Sequence, residues 1–425
     1  MILLFGSLLA LLLLGIPICY SLGISAVLYF VVYTPELAGI LPLRTYAGTD
    51  SFAMIGLPLF VLMGLLMNRG GITRRIIDFG MVFVGRLRGG LGLVNIIASM
   101  IFGGISGSSV SDTASIGAIL IPEMTEKGYK KTTATGITVA SSTMGMIIPP
   151  SIPMVIYGVA SGTSIGKLFW AGAIPGLLIG FIMIAIAAVL AYRRKWPTER
   201  ISLSLVEFLR RTGRALPALL MPLAVVGTIT LGIATPTEAA GMGVLYAFLV
   251  GLLVYRELKL RVIPRLIKQS IMISATIMII TTFSRLYTWI LVKEGVPAAI
   301  TNFLTSLHVP PFAVLLMFSA VLFFVGDFVD VGPAILLMTP ILLPAFQGMG
   351  ISAIQFGTVL IVGLAVGLAT PPVGQCLNVA NKIAGLELTE TFSAALPFLV
   401  ANFIVMILVS VLPQLSLWLP SLLFR

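Results

Sequence analysis

The chain has 425 residues, 58% of them hydrophobic and only 10% charged, with 43 Gly and 25 Pro. A soluble domain carries about 25% charged residues, so a water-soluble enzyme of ordinary kind is excluded, and at about 20 residues per crossing there is room for ten or more spans. The formal charge of +11, from 26 Lys and Arg against 15 Asp and Glu, sits between the apolar runs and therefore reads as an orientation signal facing the lipid headgroups, not as a footprint of nucleic acid.

Apolar runs occupy 2–33, 50–68, 90–122, 132–160, 168–191, 215–233, 239–255, 266–292, 310–344, 351–382 and 391–412. The first lacks the basic start and small-residue cleavage site of a secretory signal and is expected to be retained in the membrane, as two helices broken near Gly15 to Pro17. Most of the runs are interrupted by Gly or Pro, and broken backbone at membrane depth persists only where it is buried in protein or lines a cavity. Shifting the chain by 222 residues places Gly104 on Gly326, Pro122 on Pro344, Gly128 on Gly350, Gly145 on Gly367, Pro149 and Pro150 on Pro371 and Pro372, and Pro175 on Pro397, with no gap. Gly and Pro set backbone geometry, which survives when side chains drift. The expected organisation is a first repeat over 1–191, a basic linker at 192–214 read as a cytoplasmic interfacial helix, a second repeat over 215–412, and a short tail at 413–425.

Charge sets the expected orientation. Arg86 and Arg88 precede the run 90–122, and Lys127, Lys130 and Lys131 follow it. Basic flanks at both ends favour the cytoplasm for both, so this run is read as a re-entrant hairpin with SGSSVSD at its tip. The positions related to the lysines by the 222-residue shift are Met349, Ser352 and Ala353. That loss of positive charge is what an inverted second repeat predicts, its hairpin 310–344 entering from outside with GDFVDVG at the tip. Counting crossings onward puts Arg193, Arg194 and Lys195, then Arg256, Lys259, Arg261 and Arg265, on the cytoplasmic side; counting back puts Arg69, Arg74 and Arg75 there and the N-terminus outside. The fold class expected is an all-α polytopic membrane protein of two inverted-topology repeats, each with a re-entrant helical hairpin and a Pro-Pro-broken helix (132–160 and 351–382).

Inverted repeats of this kind are an architecture of secondary transporters, in which half-helix N-termini attract anionic groups while freed carbonyls hold coupling ions. Ser106, Gly107, Ser108 and Ser109 offer carbonyls and hydroxyls without bulk, with Asp112 just beyond; the opposite tip carries Gly326, Asp327 and Asp330. Carboxylates inside apolar runs are functional candidates by default, although Asp327 and Asp330 can equally cap helix ends and the serines can bond their own backbone. In MGMIIPPSIP (144–153) and VGLATPPVGQCLN (366–378), tandem proline removes two amide donors and disfavours helix at the residue before, freeing carbonyls around Ile148 and Thr370; a packing kink is the plainer alternative. Arg285 either meets a substrate carboxylate, pairs with an acid or snorkels from a helix end. ATPTEAAG predicts a capping box from Thr235 to Glu238. The only histidine, His308, excludes a site needing two imidazoles and reads as an interfacial loop residue, and Cys19 and Cys376 lie in apolar runs with no disulfide or zinc spacing.

GGISGSSVSDTASIGAILIPEM, ASSTMGMIIPPSIPMVIYG, LGIATPTEAAG, GDFVDVGPAILLMTPILLP and GLATPPVGQCLNVA together resemble the large membrane subunit (M subunit) of tripartite ATP-independent periplasmic (TRAP) transporters, over nearly the whole chain. The resemblance implies no enzyme and no cofactor, but sodium-driven uptake of an organic acid across a bacterial inner membrane by an elevator movement of the hairpin-bearing domain. C4-dicarboxylates, sialic acids and keto or sugar acids are the substrate classes it implies. It implies two partners, a small membrane subunit (Q) as a separate chain and a soluble periplasmic substrate-binding protein (P). Carried onto this chain, it implies sodium where the tips Ser106, Gly107, Ser108, Ser109 and Gly326, Asp327, Asp330 meet the unwound segments at Pro149 and Pro150 or at Thr370, Pro371 and Pro372. It implies substrate between them, near Ser108, Asp112, Ser151, Asp330, Asn378 and Arg285. The nearest rival is a stand-alone ion-coupled anion transporter or antiporter of the same architecture. Rivals of another class are a membrane enzyme, for which no nucleophile-and-base motif is present, and a channel, for which no carbonyl filter is present.

Overall fold

A computed structural model describes residues 1–49, 52–198, 204–306 and 308–424. The chain starts with α1 (Ile2–Leu13), α2 (Ile18–Tyr33), α3 (Ile40–Thr49), α4 (Phe52–Arg69) and α5 (Ile72–Val84). A helical hairpin follows, α6 (Gly90–Ser106) and α7 (Ser109–Glu126), then α8 (Lys131–Ser142) with a 3₁₀ turn at Thr143–Met146, α9 (Ile152–Ser161) and the long α10 (Ile165–Arg193). After it come α11 (Leu205–Thr230), α12 (Pro236–Leu249), α13 (Ile263–Lys293) and α14 (Val296–Ser306). A second hairpin, α15 (Pro311–Phe328) and α16 (Val331–Gly348), leads to α17 (Ala353–Gly367), α18 (Gln375–Ala384), α19 (Leu388–Val411) and α20 (Gln414–Leu423). Among the described residues seven helices are long and apolar enough to cross a membrane, or eight if α4 and α5, bent by 68° at their junction, count as one span. The molecule is a polytopic helical membrane protein.

The 222-residue offset recurs in the helix boundaries. Ser109 and Glu126, which bound α7, correspond to Val331 and Gly348, which bound α16, and Lys131 at the start of α8 corresponds to Ala353 at the start of α17. The relation extends back beyond the Gly and Pro matches, pairing α5 with α14 and α4 with the second half of α13. Packing between the halves is reciprocal. The post-break helix α18 lies on α7 while its counterpart α9 lies on α16, and α2 lies on α13 while α4 lies on α12.

Three stretches differ from the sequence reading. The hairpins were expected to end at 122 and 344, but Pro122 and Pro344 lie within α7 and α16, which continue for one more turn; each proline removes one ladder bond without ending the helix. The linker 192–214 is not a separate helix. Its residues from 205 onward are the first turns of α11, started by Ser204, whose hydroxyl accepts from Glu207 N at 3.2 Å, and supported by Arg211 donating to Glu207 at 2.7 Å; residues 199–203 lie outside the described set. The tail 413–425 contains α20, packed on α10. The predicted capping box is present at the start of α12, with Thr235 and Glu238 bonding each other's backbone.

Buried polar pairs join the apolar helices. Asn95 on α6 donates to Thr138 on α8 at 2.7 Å, and Ser99 and Ser141 bond at 2.8 Å one turn along. Such pairs hold helices together where lipid supplies no hydrophobic drive. Between the halves, the fully buried Tyr157 on α9 donates its hydroxyl to Ala353 O, at the start of α17, at 2.5 Å. Tyr157→Phe removes this buried bond while the carbonyl keeps its helical partner, a cost of about 0.5–1.5 kcal/mol. It is expected to lower the melting temperature in detergent while leaving substrate selectivity unchanged, read by a thermal-shift scan and a competition assay.

Candidate functional site

Each hairpin tip is docked on the broken helix of its own repeat. At the first tip, α6 ends on Ser106, Gly107 adopts φ +64°, where a side chain is strained, and Ser108 in extended conformation starts α7. Ser106 Oγ donates to Asp112 Oδ1 and accepts from Ser108 N at 3.1 Å. Gly107 O accepts from Ile152 N at 3.2 Å, which ties the tip to the first residue of α9 beyond the Pro149–Pro150 break. The approach is close, since a Cβ at Gly104 would meet Pro149 O at 2.8 Å and one at Gly107 would meet Pro150 O at 3.1 Å. Ser109 Oγ donates to Thr143 O at 3.2 Å, and Ser151 Oγ donates to Met146 O at 2.5 Å while capping α9.

Asp112 is fully buried behind this tip. Its Oδ2 has no hydrogen-bond partner in the structure and lies over Gly145, where a Cβ would come within 2.1 Å of it. A buried carboxylate oxygen without a partner is costly. At the next residue of α7, Thr113 and Ser142 bond at 2.6 Å. Cys376 on α18 is fully buried, in keeping with the packing role expected for it. Asn402 on α19 donates to Thr143 Oγ1 at 2.9 Å.

The second tip has the same plan with a different donor. Gly326 and Asp327 lie directly on α17, where a Cβ at Gly367 would meet Gly326 C at 2.5 Å and Asp327 N at 2.7 Å. Asp327 is buried, and its Oδ1 accepts from Val373 N at 3.1 Å and Gly374 N at 3.2 Å, the two amides after Pro371–Pro372. Thr370 Oγ1 is turned back to Gly367 O at 2.9 Å. The peptide bonds Pro149–Pro150 and Pro371–Pro372 are both cis.

The remaining candidates lie apart in character. Asp330 is exposed and caps α16, its Oδ1 accepting from Val331 N at 2.8 Å. Asn378 is exposed and donates to Val373 O. Arg285 on α13 is exposed, and its Nη2 donates to Val159 O at 3.1 Å, near the C-terminal end of α9. Ser108, Pro149 and Pro371 are half-buried, Pro372 is exposed, and Pro150 is buried. His308 is exposed, with φ +53° and Nδ1 2.7 Å from Ser306 O. Asn402 and Asn68 are not singled out by the sequence, and Gly145 only as a match between the repeats. Asn68 on α4 accepts from Ser115 at 2.8 Å and donates to Ser111 at 3.4 Å, which ties α7 to α4. A lone Asn in an apolar run is the signal that marks both it and Asn402.

Among the described residues no three His, Cys, Asp or Glu side chains converge on a metal position. The donors gathered at both tips are oxygens of carbonyls, hydroxyls and carboxylates, a set that suits hard cations.

A fold of two docked hairpins over broken helices defines a membrane permease of the secondary-transporter kind. Residues 5–415 match the family described as tripartite ATP-independent periplasmic transporter, DctM component, and the chain belongs to that family. It is 36% identical over 402 residues to the C4-dicarboxylate TRAP transporter large permease protein DctM of Pseudomonas aeruginosa, covering 94% of each chain. To the sialic acid TRAP transporter large permease protein SiaM of Vibrio cholerae it is 36% identical over 414 residues, covering 97% of each. Its fold is similar to the crystal structure of the YdaH transporter of Alcanivorax borkumensis, with TM-score 0.59 at 13% identity, over 90% of this chain and 88% of that one.

Proposed function

We propose that the chain takes up an organic acid anion across a bacterial inner membrane, driven by sodium, through an elevator-type displacement of the two hairpins and the broken helices they rest on. The observation that carries this reading is the docking of both tips, at positions 222 residues apart, on backbone broken by tandem proline. Sodium is held at the first tip by oxygens of Ser106 to Ser109 and of the segment up to Pro150, with the Asp112 carboxylate supplying charge from behind. At the second tip it is held by Gly326, Asp327 and Asp330 with the carbonyls from Thr370 to Pro372. The relatives' names, C4-dicarboxylate and sialic acid, support a carboxylate-bearing substrate. Its carboxylate lies toward the N-termini of the half-helices, where the dipole favours negative charge, with Ser108, Ser151, Asn378 and Arg285 as the polar side chains of that region. Burial of Asp112 behind the tip supports a role toward the cation in place of the substrate contact that the resemblance implies.

The two repeats are inverted. Lys127, Lys130 and Lys131 after the first hairpin against Met349, Ser352 and Ala353 after the second support entry of the first from the cytoplasm and of the second from outside. The partners are a small membrane subunit on a separate chain and a periplasmic binding protein that delivers substrate; a family described as tripartite supports both.

Proteoliposomes with the chain and its small subunit, under an inward sodium gradient, test the partnership. Labelled C4-dicarboxylate or sialic acid is expected to accumulate only when the matching binding protein is added outside. Accumulation by this chain alone would replace this reading by a stand-alone transporter.

A further inference from the structure

Away from the hairpins, α5, α11 and the turn after α12 enclose a cavity of about 600 Å³ lined by Arg74, Arg75, Arg210 and Arg214 against only Asp78 and Glu257. Its wall is tied down from several sides. Arg75 donates to Glu257 at 2.7 Å and lies 3.9 Å over the Tyr255 ring, and the Tyr255 hydroxyl donates to Arg214 O at 3.0 Å. Tyr246 donates to Pro217 O at 2.7 Å, fixing the next turn of α11. Arg210 shares Glu207 with Arg211 at 3.9 Å. Arg74 and Arg214, both exposed, make no salt bridge within 4 Å among the described residues.

We propose that this cavity is a binding site for the phosphodiester headgroup of an anionic phospholipid. Two cations free of salt bridges on a preformed wall form a site for a phosphate group, which arginine binds by its planar fork. The surroundings select a lipid over a free anion. Leu216, Leu220 and Leu223, on the turns of α11 after Arg214, and Leu253 and Val254 beside the cavity are exposed apolar side chains. α11 is itself a candidate span beginning at Val206. Acyl chains thus have an apolar surface directly below the headgroup, the arrangement of basic pockets between membrane helices that hold anionic lipid.

The test is native mass spectrometry of the full delipidated chain titrated with dioctanoyl phosphatidylglycerol. The expected result is one tightly held lipid in the wild type and about thirtyfold weaker binding (about 2 kcal/mol) in Arg74→Gln/Arg214→Gln. Arg261→Gln, a basic exposed residue outside the cavity, is expected to bind as the wild type does. Gly213→Asp gives a second route, because a Cβ at this cavity-lining residue meets nothing within 4 Å and the added carboxylate repels the headgroup; the same loss is expected. The proposal is overturned if the double arginine variant and Gly213→Asp retain the lipid, or if Arg261→Gln loses it equally. It is also overturned if dioctanoyl phosphatidylcholine or inorganic phosphate binds as tightly as phosphatidylglycerol.

Discussion

Gly367→Ala is expected to be recovered as folded, monodisperse protein that takes up substrate about a hundredfold more slowly than the wild type. A Cβ at this position meets Gly326 C at 2.5 Å, Gly326 Cα at 2.7 Å and Asp327 N at 2.7 Å, all backbone of the second tip. Carbon atoms rest at about 3.5–4.0 Å, so α17 and the hairpin must separate by about 1 Å. That displacement draws Asp327 Oδ1 away from Val373 N and Gly374 N, bonds of 3.1 and 3.2 Å that join the tip to the broken segment. Misplacement on this scale is worth about a hundredfold where function depends on fixed geometry. The helix itself loses nothing, because Ala is a better helix former than Gly. Gly227→Ala on α11 is the matched control, since its Cβ meets nothing within 4 Å, and it should transport normally. Initial rates in proteoliposomes decide the matter; wild-type uptake by Gly367→Ala would mean that the tip contact has no part in transport.

Asp112→Asn is expected to raise the sodium concentration for half-maximal uptake at least about tenfold. The amide keeps the shape of the carboxylate and an oxygen to accept from Ser106 Oγ, so the tip conformation is retained. What is lost is the second carboxylate oxygen beside Gly145, otherwise unpartnered, and with it the charge proposed to hold the cation. Two unit charges about 4 Å apart interact by about 4 kcal/mol at an effective dielectric of about 20, so even a third of that is a tenfold change. Ser106→Ala, which removes the hydroxyl that orients Asp112, is expected to shift the midpoint in the same direction by less. A sodium-activation curve superimposable on the wild type in Asp112→Asn would reduce this aspartate to a packing role.

Much of this site can be read from residue spacing, because Gly and Pro report backbone breaks directly. Gly104, Gly145 and the prolines at 149, 150, 371 and 372 mark the places where tip and broken helix meet, through backbone contacts at the first tip and the Asp327 carboxylate at the second. Spacing does not reveal which break faces which. The exchange of α9 and α18 between the halves is a set of long-range contacts with no local signature. Nor does it separate like residues. Asp327 and Asp330 stand three apart on one tip, yet one is buried against the amides after Pro371–Pro372 and the other is an exposed cap. Hydropathy also passed over α5 and α14. In α5 the charges Arg74, Arg75 and Asp78 lower the mean, while the buried face of Ile72, Ile76, Ile77 and Met81 follows the helical period and not a continuous apolar run.

Coupling of transport to sodium at these two junctions is the core of the proposed function. The direct measurement is the initial rate of substrate uptake by proteoliposomes of the chain with its small subunit and binding protein, comparing an inward sodium gradient with an equal potassium gradient. Accumulation above the external concentration is expected with sodium and none with potassium; equal accumulation in both would rule out sodium coupling.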